Sequence, residues 1–231
     1  MTIQDNPDGS SGPRLRGQVV ELQRFYGLLP MPPGDPFALF AWEVLARKAL
    51  PAGRDAALAA LRKAHILTPD AVVRAPRAAL EAAVAAAGSS RELRLDALRA
   101  GADIFRRHRT LPAAIGGPLL GARRSLRLLG QLDTAGTHRM LLFAGGHPIM
   151  PADPRVLRVA GRLGHVSVER PAVRRARRQL GALLGTDRDV LRRAAVYLSH
   201  HGALTCTERE PHCRVCPLAP ECPASTAPRL V

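Results

Sequence analysis

Apolar residues recur at helical spacing along this chain, and alternating strand patterns are absent. In "DPFALFAWEVLARKAL" (35–50), Asp35 suits an N-cap and Pro36 the first helical position, with apolar residues three and four apart behind them. "TPDAVVRA" and "APRAALEAAVAAAG" repeat the proline start, and the second stops at Gly88, where a helix end is expected. Further helices are expected near 90–108, 118–130, 137–145, 154–163, 170–184 and 187–201. These segments differ in length and motif, so they are not the units of a solenoid. The predicted fold class is all-α.

Proline-rich breaks divide the pattern. "LPMPPGDP" (29–36) and "GGHPIMPADP" (145–154) bracket a central helical block over 34–148. The flanking segments, 14–33 and 149–231, are expected to pack together as a second helical lobe behind a flexible polar tail at 1–13. No apolar run approaches the roughly 20 residues that cross a bilayer, and the tail does not read as a targeting peptide. A cytoplasmic, monomeric protein away from membranes is expected.

Charge then narrows the partner. The formal net charge is +15, and of the 34 basic residues only Lys48 and Lys63 are lysines. A compositional taste for arginine explains the choice of base, but not the excess of base over acid. Such a field attracts polyanions, nucleic acid first. Aromatic residues make up only 3% of the chain, too few for a platform that stacks single-stranded bases, so duplex DNA is the favoured partner over RNA. The runs "RRHR" (106–109) and "RRARR" (174–178) are either DNA-facing surface or solvated helix faces.

All four cysteines fall within "CTEREPHCRVCPLAPEC" (206–222), spaced C-x6-C-x2-C-x5-C. A chain this long buries a core without disulfide staples, so a metal group is the better reading. Four thiolates in one loop suit tetrahedral zinc or an iron–sulfur cluster, and spacing alone tilts only mildly toward the cluster.

The order of these features resembles the endonuclease III branch of helix-hairpin-helix DNA glycosylases. The likeness runs over about 35–223 and is carried by "LDTAGTHRMLLFAGG", "PADPRVLRVAGRLG" and "VYLSHHGALTCTEREPHCRVCPLAPEC". It implies a two-lobed helix-hairpin-helix glycosylase fold with a C-terminal iron–sulfur loop. Cys206, Cys213, Cys216 and Cys222 would ligate a [4Fe–4S] cluster, preceded by the matching pair His201-Gly202. The hairpin would span Leu132 to Met140, with Gly136, Thr137 and Arg139 against DNA. Lys48 stands where relatives place a DNA-reaching glutamine, and Asp153 matches the family's catalytic aspartate.

Three departures qualify the likeness. The family hairpin carries two glycines, whereas Leu132-Asp133-Thr134-Ala135-Gly136 keeps only the second and sets an acid beside the phosphate site. His138 replaces the lysine whose amine attacks the sugar in bifunctional members, and an imidazole cannot form that Schiff base. The stretch from hairpin to Asp153 is also a few residues shorter. The expectation is a monofunctional glycosylase acting on damaged or abasic double-stranded DNA at the nucleoid, with Asp153 as the catalytic carboxylate and His138 in a supporting role. A DNA-damage-binding protein without catalysis is the alternative. Trp42, His65, His147 and His165 are read as packing or surface residues.

Overall fold

The computed structural model describes residues 11–168 and 172–226, all helix, turn and loop with no strand among them. The chain divides into two compact units. One comprises Pro32–His147, and the other joins Met1–Met31 to Pro148–Val231.

The Pro32–His147 unit holds eight helices: α2 (Pro36–Ala46), α3 (Pro51–Lys63), α4 (Pro69–Arg74), α5 (Arg77–Val84), α6 (Arg91–Arg107), α7 (Leu111–Gly116), α8 (Leu119–Leu126) and α9 (Thr134–Arg139). A π-helical turn, Met140–Ala144, continues α9. Asp35 caps α2 by accepting the Ala38 amide at 2.8 Å, and Thr68 caps α4 the same way. The expected helix over 35–50 breaks after Ala46, and Pro51 opens α3, a helix that the sequence reading did not separate. Helix α2 is central to this unit, burying Phe37, Leu39, Phe40, Val44 and Leu45. Phe37, Phe40 and Phe105 form an aromatic cluster, and Gly101 of α6 makes room for it: a Cβ there would lie 2.0 Å from the Phe40 ring.

The other unit contains α1 (Ser11–Tyr26), α10 (Pro154–Arg162), α11 (Val173–Leu184) and α12 (Arg188–Leu204). Helix α1 begins inside the segment expected to be tail. Residues 1–10 of that tail lie outside the described residues, as do 170 and 171 of the helix expected over 170–184. Two close approaches set the packing. Gly12 of α1 lies against the Leu183 carbonyl, and Gly202 of α12 lies against Arg155 of α10, where a Cβ would meet the Arg155 side chain at 2.8 Å. The Tyr197 hydroxyl donates to the Gly27 carbonyl at 2.8 Å and accepts from the Leu29 amide, pinning the segment that leaves α1. After α12 the cysteine loop carries only two short 3₁₀ turns, Cys213–Val215 and Ala219–Glu221.

Candidate active site and metal centre

Asp153 sits where the chain enters α10. Pro154 at the first helical position leaves no amide to satisfy there, and the Asp153 Oδ1 accepts the Val156 amide at 2.9 Å. The second oxygen, Oδ2, accepts the Ser199 hydroxyl of α12 at 2.9 Å. The preceding residue is anchored too, since the Ala152 carbonyl accepts Arg177 Nε of α11 at 3.2 Å. The carboxylate is half-buried and held from two elements. A fixed anion of this kind can stabilise a developing cation or orient a water.

The hairpin belongs to the other unit. Asp133 caps α9, with Oδ1 accepting the Gly136 amide at 2.7 Å and the Asp133 carbonyl accepting the Thr137 amide at 2.9 Å. The acid at this turn therefore already engages the Gly136 amide. Gly136 is buried, and a Cβ there would lie 3.1 Å from a Glu43 carboxylate oxygen and 3.3 Å from Asp133 Oδ1. Thr137 and His138 are half-buried. The Arg139 guanidinium is engaged inward: it grips the Glu43 carboxylate from two nitrogens, Nε and Nη2, the latter at 2.9 Å. Side-chain exposures of 13% for Arg139 and 6% for Glu43 make this a buried ion pair. Trp42 lies between two cations, with Arg54 4.1 Å and Arg139 5.7 Å from the ring centroid. A hollow bounded by Glu43, Arg47, Gln131, Leu132, Asp133 and Arg139 adjoins the turn, and the buried Gln131 Oε1 accepts no hydrogen bond there. His147 packs its Nε2 on the Ile115 carbonyl at 3.0 Å.

Lys48 is exposed and occupies the left-handed region, with φ 51°. Of the arginine runs, Arg106 pairs with Asp70 and Arg107 with Asp103, so that part of "RRHR" is neutralised locally. Arg123, Arg124 and Arg127, which lead into the hairpin from α8, are exposed and went unremarked in the sequence.

All four cysteines are unbridged and half-buried, and their side chains line one cavity with Val159, Leu163 and Leu218. Among the described residues no group of three or more His, Cys, Asp or Glu side chains is placed to hold a metal ion. Two arginines one turn apart on α10 bind the loop's backbone. Arg158 donates to the Gly202 and Cys206 carbonyls, and Arg162 to those of Thr207 and Glu208. Arg162 Nη1 also lies 3.4 Å from Cys206 Sγ. From the far side His201, 2% exposed, sets Nε2 3.6 Å from Cys216 Sγ while its Nδ1 meets the Tyr26 hydroxyl at 2.8 Å. Burial pushes the Cys216 and Cys222 thiols up, whereas hydrogen bonds from Thr226 hold Cys213 down. Ser199, Tyr26, Arg158 and Arg162 were missed in the sequence. Only the i, i+4 spacing of the two arginines on a helix preceding the cysteines could have flagged any of them.

No protein-family model matches this chain, and no curated protein matches it by sequence. Its fold nevertheless recurs among solved structures. A trapped endonuclease III–DNA covalent intermediate with an estranged adenine superposes with a TM-score of 0.69 at 18% identity, covering 93% of this chain and 96% of the other. A non-covalent endonuclease III–DNA complex gives 0.67 at 18% identity with the same coverage. A thermostable thymine-DNA glycosylase gives 0.67 at 16% identity, covering 94% and 97%. The chain therefore has an endonuclease III-like fold, with helices and no strand among the described residues.

Proposed function

We propose that the protein is a DNA N-glycosylase of base excision repair that hydrolyses the bond between a damaged base and its sugar without cutting the strand. The observation that carries this reading is the doubly held carboxylate of Asp153 at the head of α10, in a chain with this fold. Loss of the base builds positive charge on the sugar, and an anion fixed in advance stabilises that charge without reorganising. The same carboxylate orients the water that attacks the sugar carbon. His138, at the position that the resemblance gives to the lysine of bifunctional members, is read as a supporting residue that offers an imidazole instead of an amine. With no amine there, β-elimination is expected to be weak or absent.

In the same reading the partner is double-stranded DNA with a damaged or abasic nucleotide swung out of the stack. The protein acts at the nucleoid as a monomer, and oxidised pyrimidines are the first substrates to try. Gly136, Thr137, Arg139 and Lys48 belong to the DNA-facing side, Arg139 by holding α9 in place through Glu43. Cys206, Cys213, Cys216 and Cys222 hold a [4Fe–4S] cluster, which supplies no chemistry to base release and ties together a loop with little core of its own. Four soft sulfurs around one cavity, with arginines on its rim, are a suitable donor set.

One observation favours a second reading, a damage-binding protein without turnover: the hairpin amide of Gly136 already has a partner in Asp133. A panel of duplexes with single lesions, scored separately for base release and strand scission, decides between them. Base release that disappears in Asp153→Asn while DNA affinity persists supports the glycosylase. Tight lesion binding without product from any duplex supports the binding protein. Efficient borohydride trapping on abasic DNA would contradict the monofunctional assignment.

A further inference from the structure

Arg94, near the start of α6, is fully buried, and among the described residues no carboxylate pairs with it. Its guanidinium is spent on backbone carbonyls of two separate turns. Nη1 donates to Gly88 at 3.2 Å and to Ser89, and Nη2 donates to Arg47, which is 47 residues away in sequence. A buried cation held only by carbonyls is an expensive way to join two loops, since a neutral packed side chain avoids the desolvation cost. Burial correspondingly lowers the pKa of Arg94.

Both turns contain strained backbone. Lys48 and Ser90 have φ of 51° and 67°, the left-handed region that non-glycine residues rarely adopt, and Gly88 has φ 82°. Gly53, in the first turn of α3, touches the Ala86 carbonyl so closely that a Cβ would lie 2.5 Å from it, so the two turns are neighbours along one edge. That edge exposes three cations, Arg47, Lys48 and Arg91, and among the described residues none of them has an ion-pair partner. It also exposes two large apolar side chains, Leu50 and Leu93, each 64% accessible. The amides opening α6 have no side-chain cap and add partial positive charge there.

We propose that Arg94 is a positioning residue that locks the 47–50 and 88–91 turns into one rigid edge, and so sets the shape in which Lys48, already read above as DNA-facing, and its neighbours meet a duplex. Arg47, Lys48 and Arg91 meet phosphates, while Leu50 and Leu93 press on the apolar sugar faces and groove floor. Cations flanking exposed leucines match the chemistry of a groove whose walls are anionic and whose interior is not. This inference rests on the DNA-directed reading above and adds to it the residue that sets the shape of the contact.

The test is a double-mutant cycle on binding to a short duplex with one abasic-site analogue, followed by fluorescence anisotropy. A lysine at position 94 keeps the charge but cannot span both turns. Lys48→Ala and Arg94→Lys are each expected to weaken binding by about tenfold, and the double variant by little more than either, because both act through one turn. Losses that multiply to about a hundredfold, or an Arg94→Lys protein that binds as well as wild type, would overturn the proposal. Should Arg94→Lys not fold, Lys48→Asn and Lys48→Val carry the test without touching the core. Both remove the charge, but only asparagine tolerates the left-handed turn, so the valine variant is expected to bind about fivefold more weakly. Equal binding by those two refutes a conformational role. An identical loss on vesicles of anionic lipid would assign the edge to any polyanionic surface and overturn DNA as its partner. Wild-type protein that ignores the duplex would overturn the DNA-directed reading itself, whereas binding with multiplicative losses overturns only the role given to Arg94.

Discussion

The two oxygens of Asp153 have different jobs, and the difference can be measured. Oδ1 caps α10 and Oδ2 receives Ser199. Asparagine keeps the capping oxygen, so Asp153→Asn is expected to melt within about 1 kcal/mol of wild type while losing base release. Asp153→Ala removes the cap as well and should cost about 1 kcal/mol more in a thermal melt. Ser199→Ala leaves the carboxylate in place but unsteadied, and single-turnover base release should slow about tenfold with DNA affinity unchanged. His165 makes a different residue-scale prediction. It is 5% exposed, its Nε2 meets Gln18 Oε1 at 2.7 Å, and burial lowers its pKa to about 4, with Arg14 adding to the effect. Between that value and the unfolded value near 6.5, the unfolded chain binds the extra proton. Its contribution is therefore complete above about pH 6.5 and is lost toward pH 4, up to about 3 kcal/mol. Denaturant titrations across that range should show the loss, and His165→Gln should flatten part of it; unchanged curvature would reject the assignment.

At the scale of elements, the hairpin is braced by a pair that no local pattern announces. Glu43 lies in the middle of an apolar helix and Arg139 at the end of α9, 96 residues later, so only the folded chain brings them together. Removing one partner strands a buried charge, and Glu43→Ala is expected to destabilise by about 3 kcal/mol, whereas Glu43→Leu with Arg139→Leu should recover much of that loss in chemical denaturation. The contrast explains what the sequence disclosed. Helix starts were readable because Asp35, Thr68, Asp153 and Asp187 each cap within their own turn, three residues or fewer from the amide they hold. The break at Ala46 went unread although Pro51 opens α3 with a local signal, and the contact that ties this turn to the rest, Arg94 donating to the Arg47 carbonyl, is tertiary. Asp153 and the cysteines were singled out through motif order, while Ser199 and Tyr26 make their contacts only in the folded chain. The cysteine loop illustrates the same limit, because neither of its short turns buries a residue and Leu218, between them, is the one large apolar side chain buried among its described residues. On the proposed function, a cluster on its sulfurs would supply what so small a core lacks. Chelating that proposed cluster, or replacing Cys216 with serine, should then bleach a yellow-brown protein and open 205–226 to protease while the Pro32–His147 unit stays resistant. Equal protease resistance with and without metal would refute that dependence.

Across the whole molecule, the net charge of +15 does not say which cations a duplex can meet. Several arginines are neutralised inside their own neighbourhood: Arg77 by Glu81 and Glu92, Arg106 by Asp70, Arg107 by Asp103 and Arg139 by Glu43. Others, including Arg47, Arg91, Arg123, Arg124 and Arg127, are exposed without such partners among the described residues. Counterion release counts phosphates actually met, so the salt dependence of binding reports the second group and not the total. Affinity for a duplex should fall at least about tenfold between roughly 50 and 200 mM salt, with a logarithmic slope much smaller than the net charge. Arg124→Gln, just before the hairpin, should reduce that slope by about one unit, whereas Arg106→Gln should leave it unchanged because Asp70 already cancels that charge. If both substitutions altered the slope equally, the chain would be attracting DNA as a diffuse positive body; unequal effects would mean that a defined side of the protein meets the backbone.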